Sequence, residues 1–397
     1  MTDPELADFY RRTLWDDVAP FWLRHGMDAE HGGLFSALDQ DGSRLDTDKS
    51  IWVQGRTAWM YATLHRTNTA LPGSLEASRS CVDFLRQHGE GPEGKLYFTV
   101  TREGAPLRMR RYAYSESFAS IGNAALAAIS GDDRAASDAQ RYFESYLHWN
   151  FSPGAMEAKS ARPAKGLGPL MIGIVTAQEL RTYLGDLPCR GSTYTEWIDR
   201  WIAEIAQDFL KPDEEVLMET VAPDGSILDH FDGRLLNPGH AMEAAWFIMQ
   251  EGAWRKDQRK IDLGLTILDW MWQRGWDSEF GGIFYFRDLK GLPVQEYWQD
   301  MKFWWPHNEA IIATLMAWKL TGDIKWRDRH ALVHDWSFSH FADPEFGEWF
   351  GYLHRDGTRS NNLKGNMWKG PFHLPRMLLI CLQLLESPAG ASSLSHK

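Results

Sequence analysis

Apolar residues recur at i, i+3, i+4 and i+7 through 58–64, 119–129, 197–209, 261–272 and 311–320. That period stacks them on one helix face, so each stretch predicts an amphipathic helix with a buried stripe. Between these stretches the pattern changes to a short motif that repeats. Asp28, Glu30, Gly32, Gly33 and Phe35 return as Asp277, Glu279, Gly281, Gly282 and Phe284, and again as Asp343, Glu345, Gly347 and Phe350. Alternating residues and a polar turn follow, Asp41-Gly42 in one copy and Asp356-Gly357 in another, which predicts a small β-hairpin. Weaker relatives lie at 94–100 and 215–221, with a degenerate candidate at Gly154. The six starts are 60–66 residues apart, and each interval holds about two helices. Six two-helix units close into a ring, so the expected fold is all-α: an (α/α)6 barrel with short β-hairpins between helices. One domain is expected over 1–386, with a disordered tail over 387–397.

A second series marks the start of one helix in every unit. It runs through Gln54-Gly55-Arg56, Ser115-Glu116, Gly168-Pro169, Asn237-Pro238-Gly239-His240, Pro306-His307-Asn308-Glu309 and Pro371-Phe372-His373. Proline and glycine here announce helix amino termini. If these are the inner helices, their starts gather at one end of the barrel and their polar side chains converge on a pocket.

Composition narrows the partners. The 42 basic and 54 acidic residues give a net charge of -12 without a Lys/Arg run, which argues against nucleic acid. No apolar stretch is long enough to span a bilayer, and the acidic start has no signal core, so no membrane partner and a cytoplasmic location are expected. Cys81, Cys189 and Cys381 are far apart and lack metal-ligand spacing, which suits free thiols. Twenty Trp, twelve Tyr and twenty Phe fill cores but also offer flat platforms for sugars. His330 and His334 are four apart without an HExxH pattern or carboxylate partner, so a solvated helix face is expected there rather than a metal site. Gly166 and Gly168 do not make a phosphate loop, and no cofactor is implied.

His240 and His373 are the strongest chemical candidates. A helix amino terminus carries partial positive charge and favours neutral imidazole, the form that abstracts protons. Glu243 lies three residues after His240, on the same helix face. Arg56 follows an apolar approach and needs an anionic partner, either a substrate oxyanion or a salt bridge to Glu116 or Glu309. Trp304 and Trp305 place two rings beside His307 and Glu309, a sensible wall for a sugar.

At Trp52–Arg56, Asn237–Glu243, Trp304–Glu309 and Trp368–Arg376 the chain resembles the N-acylglucosamine 2-epimerase superfamily, which includes cellobiose 2-epimerases and aldose-ketose isomerases. The resemblance implies an (α/α)6 barrel and cofactor-free proton transfer. It implies that His240 and His373 are the acid/base pair and that Arg56 lies beside the substrate oxygen. Substrate contacts are then expected from Glu243, Glu309, His307, Trp304, Trp305, Glu116 and Trp368, with Glu243, Glu309 and His307 as candidates for the ring-opening relay. The third inner helix, at 166–172, lacks the histidine of the cellobiose epimerases and isomerases and is more similar to the N-acylglucosamine branch. The expected activity is interconversion of N-acetylglucosamine and N-acetylmannosamine, or a related aldose pair, through a cis-enediolate. An aldose-ketose isomerase or a mannose or cellobiose 2-epimerase is the alternative. A glycoside hydrolase using Glu243 and Glu309, or a non-catalytic sugar-binding protein, is more remote. A homodimer is an expectation of the same resemblance. Some relatives are nucleotide-stimulated, but this chain has no phosphate loop.

Overall fold

A computed structural model describes residues 1–67, 71–157 and 161–387. Six inner helices surround an axis: α3 (Ile51–His65), α5 (Tyr114–Ser130), α7 (Leu167–Leu184), α10 (Pro238–Arg255), α12 (Trp304–Thr321) and α14 (His373–Glu386). Five of them are followed by an outer helix: α4 (Ser74–His88), α6 (Asp133–Phe151), α8 (Tyr194–Glu204), α11 (Gln258–Gly275) and α13 (Ile324–His340). The sixth outer position is taken by the amino terminus. There α1 (Asp3–Arg12) passes through a π-helical turn, Thr13–Val18, into α2 (Ala19–His25), and α1 packs on α14 to close the ring. A one-turn helix, α9 (Phe231–Arg234), precedes α10. The expected (α/α)6 barrel is therefore present. The expected tail lies outside the described residues apart from Ser387. Gly154 sits in a turn, and among the described residues 152–157 form no strand, so the degenerate motif shows no hairpin there. Among the described residues no helix is long and apolar enough to cross a membrane.

Inner helices pack against the outer ring on one side and face the axis on the other, so they are apolar nearly all round. In α12 every residue from Trp304 to Ala317 is buried. Two-residue strands tie the units together. Lys49–Ser50, just before α3, pairs antiparallel with Thr99–Val100 of the next hairpin, and Lys302–Phe303, just before α12, pairs with Tyr352–Leu353.

The repeated motif is a carboxylate-centred turn. Asp28 Oδ1 accepts the N–H groups of Glu30 and His31 at 3.1 and 3.3 Å, and Asp277 Oδ1 accepts those of Glu279 and Phe280 at 3.0 and 3.3 Å. Each carboxylate also binds the lysine that precedes the inner helix, Lys49 at 2.9 Å and Lys302 at 3.0 Å. In the third copy Lys364 reaches Asp343 at 2.8 Å. Gly32, Gly33, Gly281 and Gly282 all have φ between 72° and 75°. A side chain at the second glycine would strike the inner helix, since a Cβ on Gly282 would lie 2.9 Å from His307 Nε2. The third copy carries Glu348 at this position, with φ 58°. Its carboxylate is buried and accepts from Trp22 Nε1 at 2.8 Å and Lys369 Nζ at 2.7 Å, which offsets the strain of a left-handed backbone.

His330 and His334 do not lie on a solvated face. Both are buried where α1 crosses α13, and Tyr10 Oη lies 3.2 Å from His330 Nε2 and 2.9 Å from His334 Nδ1. Closure of the ring by α1 covers them, which the i, i+4 spacing alone did not reveal. Burial pushes His330 down to about 3 and His334 to about 4.

Lys302 and Asp277 are 0% and 1% exposed, so removing one strands the other's charge in the interior. Asp277→Ala is expected to lower the unfolding free energy by about 3–5 kcal/mol. An unchanged urea midpoint would show that this turn does not anchor α12.

Candidate active site

A cavity of about 880 Å3 opens where the inner helices begin and continues down the axis. His240 is placed at its wall by the start of α10. Asn237 is the N-cap, its Oδ1 accepting the His240 N–H at 3.1 Å, and Pro238 opens the first turn. The imidazole Nδ1 lies 3.0 Å from Glu219 Oε1 and 3.1 Å from Oε2. A carboxylate only accepts, so Nδ1 carries the hydrogen and Nε2 is the nitrogen left for the cavity. His240 is 31% exposed. Burial alone would lower its pKa, but the Glu219 carboxylate, with Glu243 and Glu309 behind it, outweighs burial and holds it above the ordinary value.

His373, the first residue of α14, has the opposite setting and is only 8% exposed. Its Nδ1 donates to Glu309 Oε1 at 2.7 Å, again leaving Nε2 free. Burial, then the cations of Arg376 and Arg56, push its pKa well below the ordinary value. Trp305 links the pair, its ring centroid 5.0 Å from His240 and 6.0 Å from His373. One cavity therefore holds one imidazole inclined to stay protonated and one inclined to stay neutral.

Arg376 organises the ground beneath. Its Nη2 donates to Glu243 Oε1 at 2.8 Å and Glu309 Oε1 at 2.6 Å, while Trp246 Nε1 donates to Glu309 Oε2 at 2.8 Å. Glu243 reaches the cavity wall, whereas Glu309 stands behind it as the carboxylate that orients His373. The Glu243, Glu309 and His373 donors lie within 4.8 Å of one another, close enough to hold a metal ion. Arg376 already supplies the cation between the two carboxylates, so a metal would have to displace it.

Arg56 faces the cavity but pairs with neither Glu116 nor Glu309. Its guanidinium lies 4.1 Å from the Phe118 ring centroid and 4.7 Å from that of Phe372, and Nη1 donates to the Trp368 carbonyl at 3.3 Å. Nε is buried without a partner. Burial pushes the group down to about 9, still cationic near neutrality. Trp304, Trp305 and Trp368 line the cavity as expected.

His307 and Glu116 do not reach it. His307 Nε2 accepts the Ile283 N–H at 2.8 Å, Nδ1 donates to the Phe303 carbonyl at 2.6 Å, and the ring stacks on Trp336. With both nitrogens engaged inside the wall, burial pushes it to about 3. Glu116 accepts the Leu96 N–H at 2.8 Å beside Lys95, and burial raises its pKa. Gln54 does the same for Leu34 at 2.7 Å. Gln54, Glu116 and His307 are thus equivalent hairpin clamps. The residues two before and two after each clamp turn about 200° round the helix, toward the axis. Those before are Trp52, Tyr114 and Trp305, and those after are Arg56, Phe118 and Glu309. Arg56 corresponds to Glu309, not to His307. The sequence assigned no role to Glu219 or to Arg376, the last residue of the Trp368–Arg376 motif, since 21 and 133 residues separate them from His240 and Glu243.

Residues 33–373 match the profile of the N-acylglucosamine 2-epimerase (GlcNAc 2-epimerase) family. The chain belongs to that family. It is 35% identical to the N-acylglucosamine 2-epimerase of Mus musculus, covering 93% of this chain and 90% of that one. The family fold recurs in the solved structure of a cellobiose 2-epimerase from Bacillus thermoamylovorans B4167, with TM-score 0.82, 18% identity and coverage of 96% and 99%. A D-mannose isomerase structure matches with TM-score 0.81 and 18% identity over 96% and 97%.

Glu219 is the largest influence raising His240 against burial. In Glu219→Gln the pKa of His240 is expected to fall, measured by NMR titration of the ring, with the His373 titration unmoved. An unshifted His240 would remove Glu219 from the site.

Proposed function

We propose that this protein is a cofactor-free carbohydrate 2-epimerase that interconverts N-acetyl-D-glucosamine and N-acetyl-D-mannosamine. The observation that carries the reading is the pair of imidazoles on one cavity, His240 and His373 on either side of Trp305, each bonded through Nδ1 to its own carboxylate with Nε2 left for the substrate. Their pKa values are pushed in opposite directions, which suits acid and base roles. Family membership and the likeness to the mouse enzyme supply the substrate class.

In the direction in which His373 acts as base, its Nε2 removes the C2 proton of the open-chain aldose. The electron pair moves through C2–C1 onto the C1 oxygen, where Arg56 stabilises the negative charge. For a 2-acetamido sugar this intermediate is an enolate that keeps the amide nitrogen on C2, rather than an enediolate. His240, protonated, returns a proton to C2 from the opposite face, the C1 carbonyl re-forms and C2 is inverted. A 2-acetamido group has no C2 hydroxyl to become a ketone, so transfer to C1 is not an alternative for this substrate. Glu309 and Glu219 are positioning residues, each holding one imidazole with Nε2 forward. Glu243 remains the cavity-facing candidate for ring opening, because His307 points away and Glu309 stands behind the wall.

A hydrolase needs one protonated carboxyl and a second carboxylate flanking the scissile bond. Glu243 and Glu309 both accept from the same Arg376 nitrogen and only Glu243 reaches the cavity wall, so the two do not flank a bond held in the cavity. The epimerase reading has no such conflict. Three buried free thiols fit a reducing compartment such as the cytoplasm.

Incubation with N-acetylglucosamine in heavy water is expected to place deuterium at C2 and to yield N-acetylmannosamine, followed by NMR. His240→Asn and His373→Asn should each lower kcat/KM by about 10³-fold. Absence of C2 exchange with any aldose would overturn the reading. The active pair carries one proton, so kcat/KM should be bell-shaped in pH. The acid limb reports His373 and lies below the ordinary histidine value; the alkaline limb reports His240 and lies above it. Both directions share this bell, because moving the proton between rings leaves the net charge unchanged. A single-limbed profile would count against two histidines.

A further inference from the structure

The cavity is far larger than one sugar. An N-acetylhexosamine fills roughly 250 Å3 at interior packing density, against about 880 Å3 here. The surplus is layered along the axis. At the helix starts the wall is polar and aromatic, with Arg110, Tyr112, Tyr114, Glu219, Tyr285 and Tyr352 beside the two histidines. At ~1.5 Å of rise per residue, a belt roughly 9–14 Å further in is formed by Trp59, Ile121, Val175, Phe247, Leu379 and Ile380. Below it, roughly 15–18 Å in, Thr63, Glu179, Gln250 and Gln383 make a polar floor. Val175 and Ile380 remain partly exposed inside the barrel, so the belt is open space with apolar walls rather than packed core.

Resting on the epimerase reading above, we propose that this belt is a binding compartment for the acyl chain on the C2 nitrogen of the sugar, one that takes chains several carbons longer than acetyl. The imidazoles hold C2 near the helix starts, so an acetyl group stays above the belt and only the outer carbons of a longer acyl chain directed down the axis enter it, roughly 9 Å further in. The hydroxyl-bearing carbons need free hydrogen-bonding partners, which the upper wall has; in the belt Trp59 Nε1 already donates to Glu179 and Thr176 Oγ1 to the Ile172 carbonyl. The acyl chain is the apolar part of such a substrate, and among the described residues lining this cavity the belt is the apolar layer that matches it. Water against those walls is displaced with gain. The floor sets the limit. Trp59 Nε1 donates to Glu179 Oε2 at 2.7 Å, and burial raises Glu179 to about 7 while that bond opposes the rise. A chain that reached the floor would set apolar carbon against this buried carboxyl.

The test compares N-acetyl- and N-hexanoylglucosamine with the full-length protein, native and Val175→Trp, by C2 deuterium exchange and by titration calorimetry on the same samples. In the native protein N-hexanoylglucosamine should be exchanged at C2. Its KM and dissociation constant should fall by roughly fourfold for each methylene buried. In Val175→Trp, which narrows the belt without touching the helix starts, that advantage should vanish while N-acetylglucosamine stays within about twofold. Exchange of N-acetyl- but not N-hexanoylglucosamine, or an advantage that survives Val175→Trp, overturns the compartment and leaves the epimerase reading standing. Absence of exchange with both overturns the epimerase reading. Calorimetry then decides the compartment separately, tighter N-hexanoyl binding lost in Val175→Trp supporting it and equal binding overturning it.

Discussion

A lysine buried against an aspartate at the head of an inner helix is the constraint on which the site depends. Lys49–Asp28, Lys302–Asp277 and Lys364–Asp343 each join a hairpin turn to the residues just before or near an inner helix start. Such pairs are expensive to desolvate and are tolerated only when geometry and extra hydrogen bonds satisfy both ions. The turn's two backbone N–H groups and the second cation on Asp28 and Asp277, Arg102 and Arg355, provide that satisfaction. Inner helices anchored this way begin at one end of the ring. Everything chemical follows from that common level, because the side chains of their first turns then meet on one axis.

The same economy of buried charge separates the two histidines. Each has a carboxylate on Nδ1, yet they titrate in opposite directions. Glu309, which serves His373, is shared with Arg376, so its charge is largely spoken for. Glu219, which serves His240, bonds no arginine or lysine among the described residues, and both its oxygens lie against the imidazole Nδ1. Solvent access reinforces the difference, since His240 is the more exposed ring. A two-base inversion at carbon gains from such asymmetry, because separated pKa values widen the pH range in which the pair carries one proton.

Local signals proved ambiguous wherever one helix turn presents two faces. His240 and His307 both follow a proline near a helix start, and in sequence they look alike. One faces the cavity and the other clamps a hairpin. Gln54 and Arg56 show why, since two residues apart on α3 they point to opposite sides of the helix, one to the Leu34 backbone and one to the axis. A register error of two residues in aligning the repeats exchanges clamp for site, and it placed Glu116 and His307 among the substrate contacts. His330 and His334 were misjudged for a related reason, as the surface they share is covered by a helix more than 300 residues away.

The sequence by itself determined the period of the units, the starts of the inner helices, the hairpins other than the degenerate one at Gly154, the ring they must close, and the two histidines that head α10 and α14. These are properties of short windows, where hydrophobic period and turn chemistry act between near neighbours. The tertiary structure alone decided which polar residues face the axis, that Glu219 and Arg376 belong to the site, that His240 and His373 hold opposite charge preferences, and that an apolar compartment lies beneath them. Those depend on desolvation and on contacts between helices distant in sequence, and neither exists until the ring has closed.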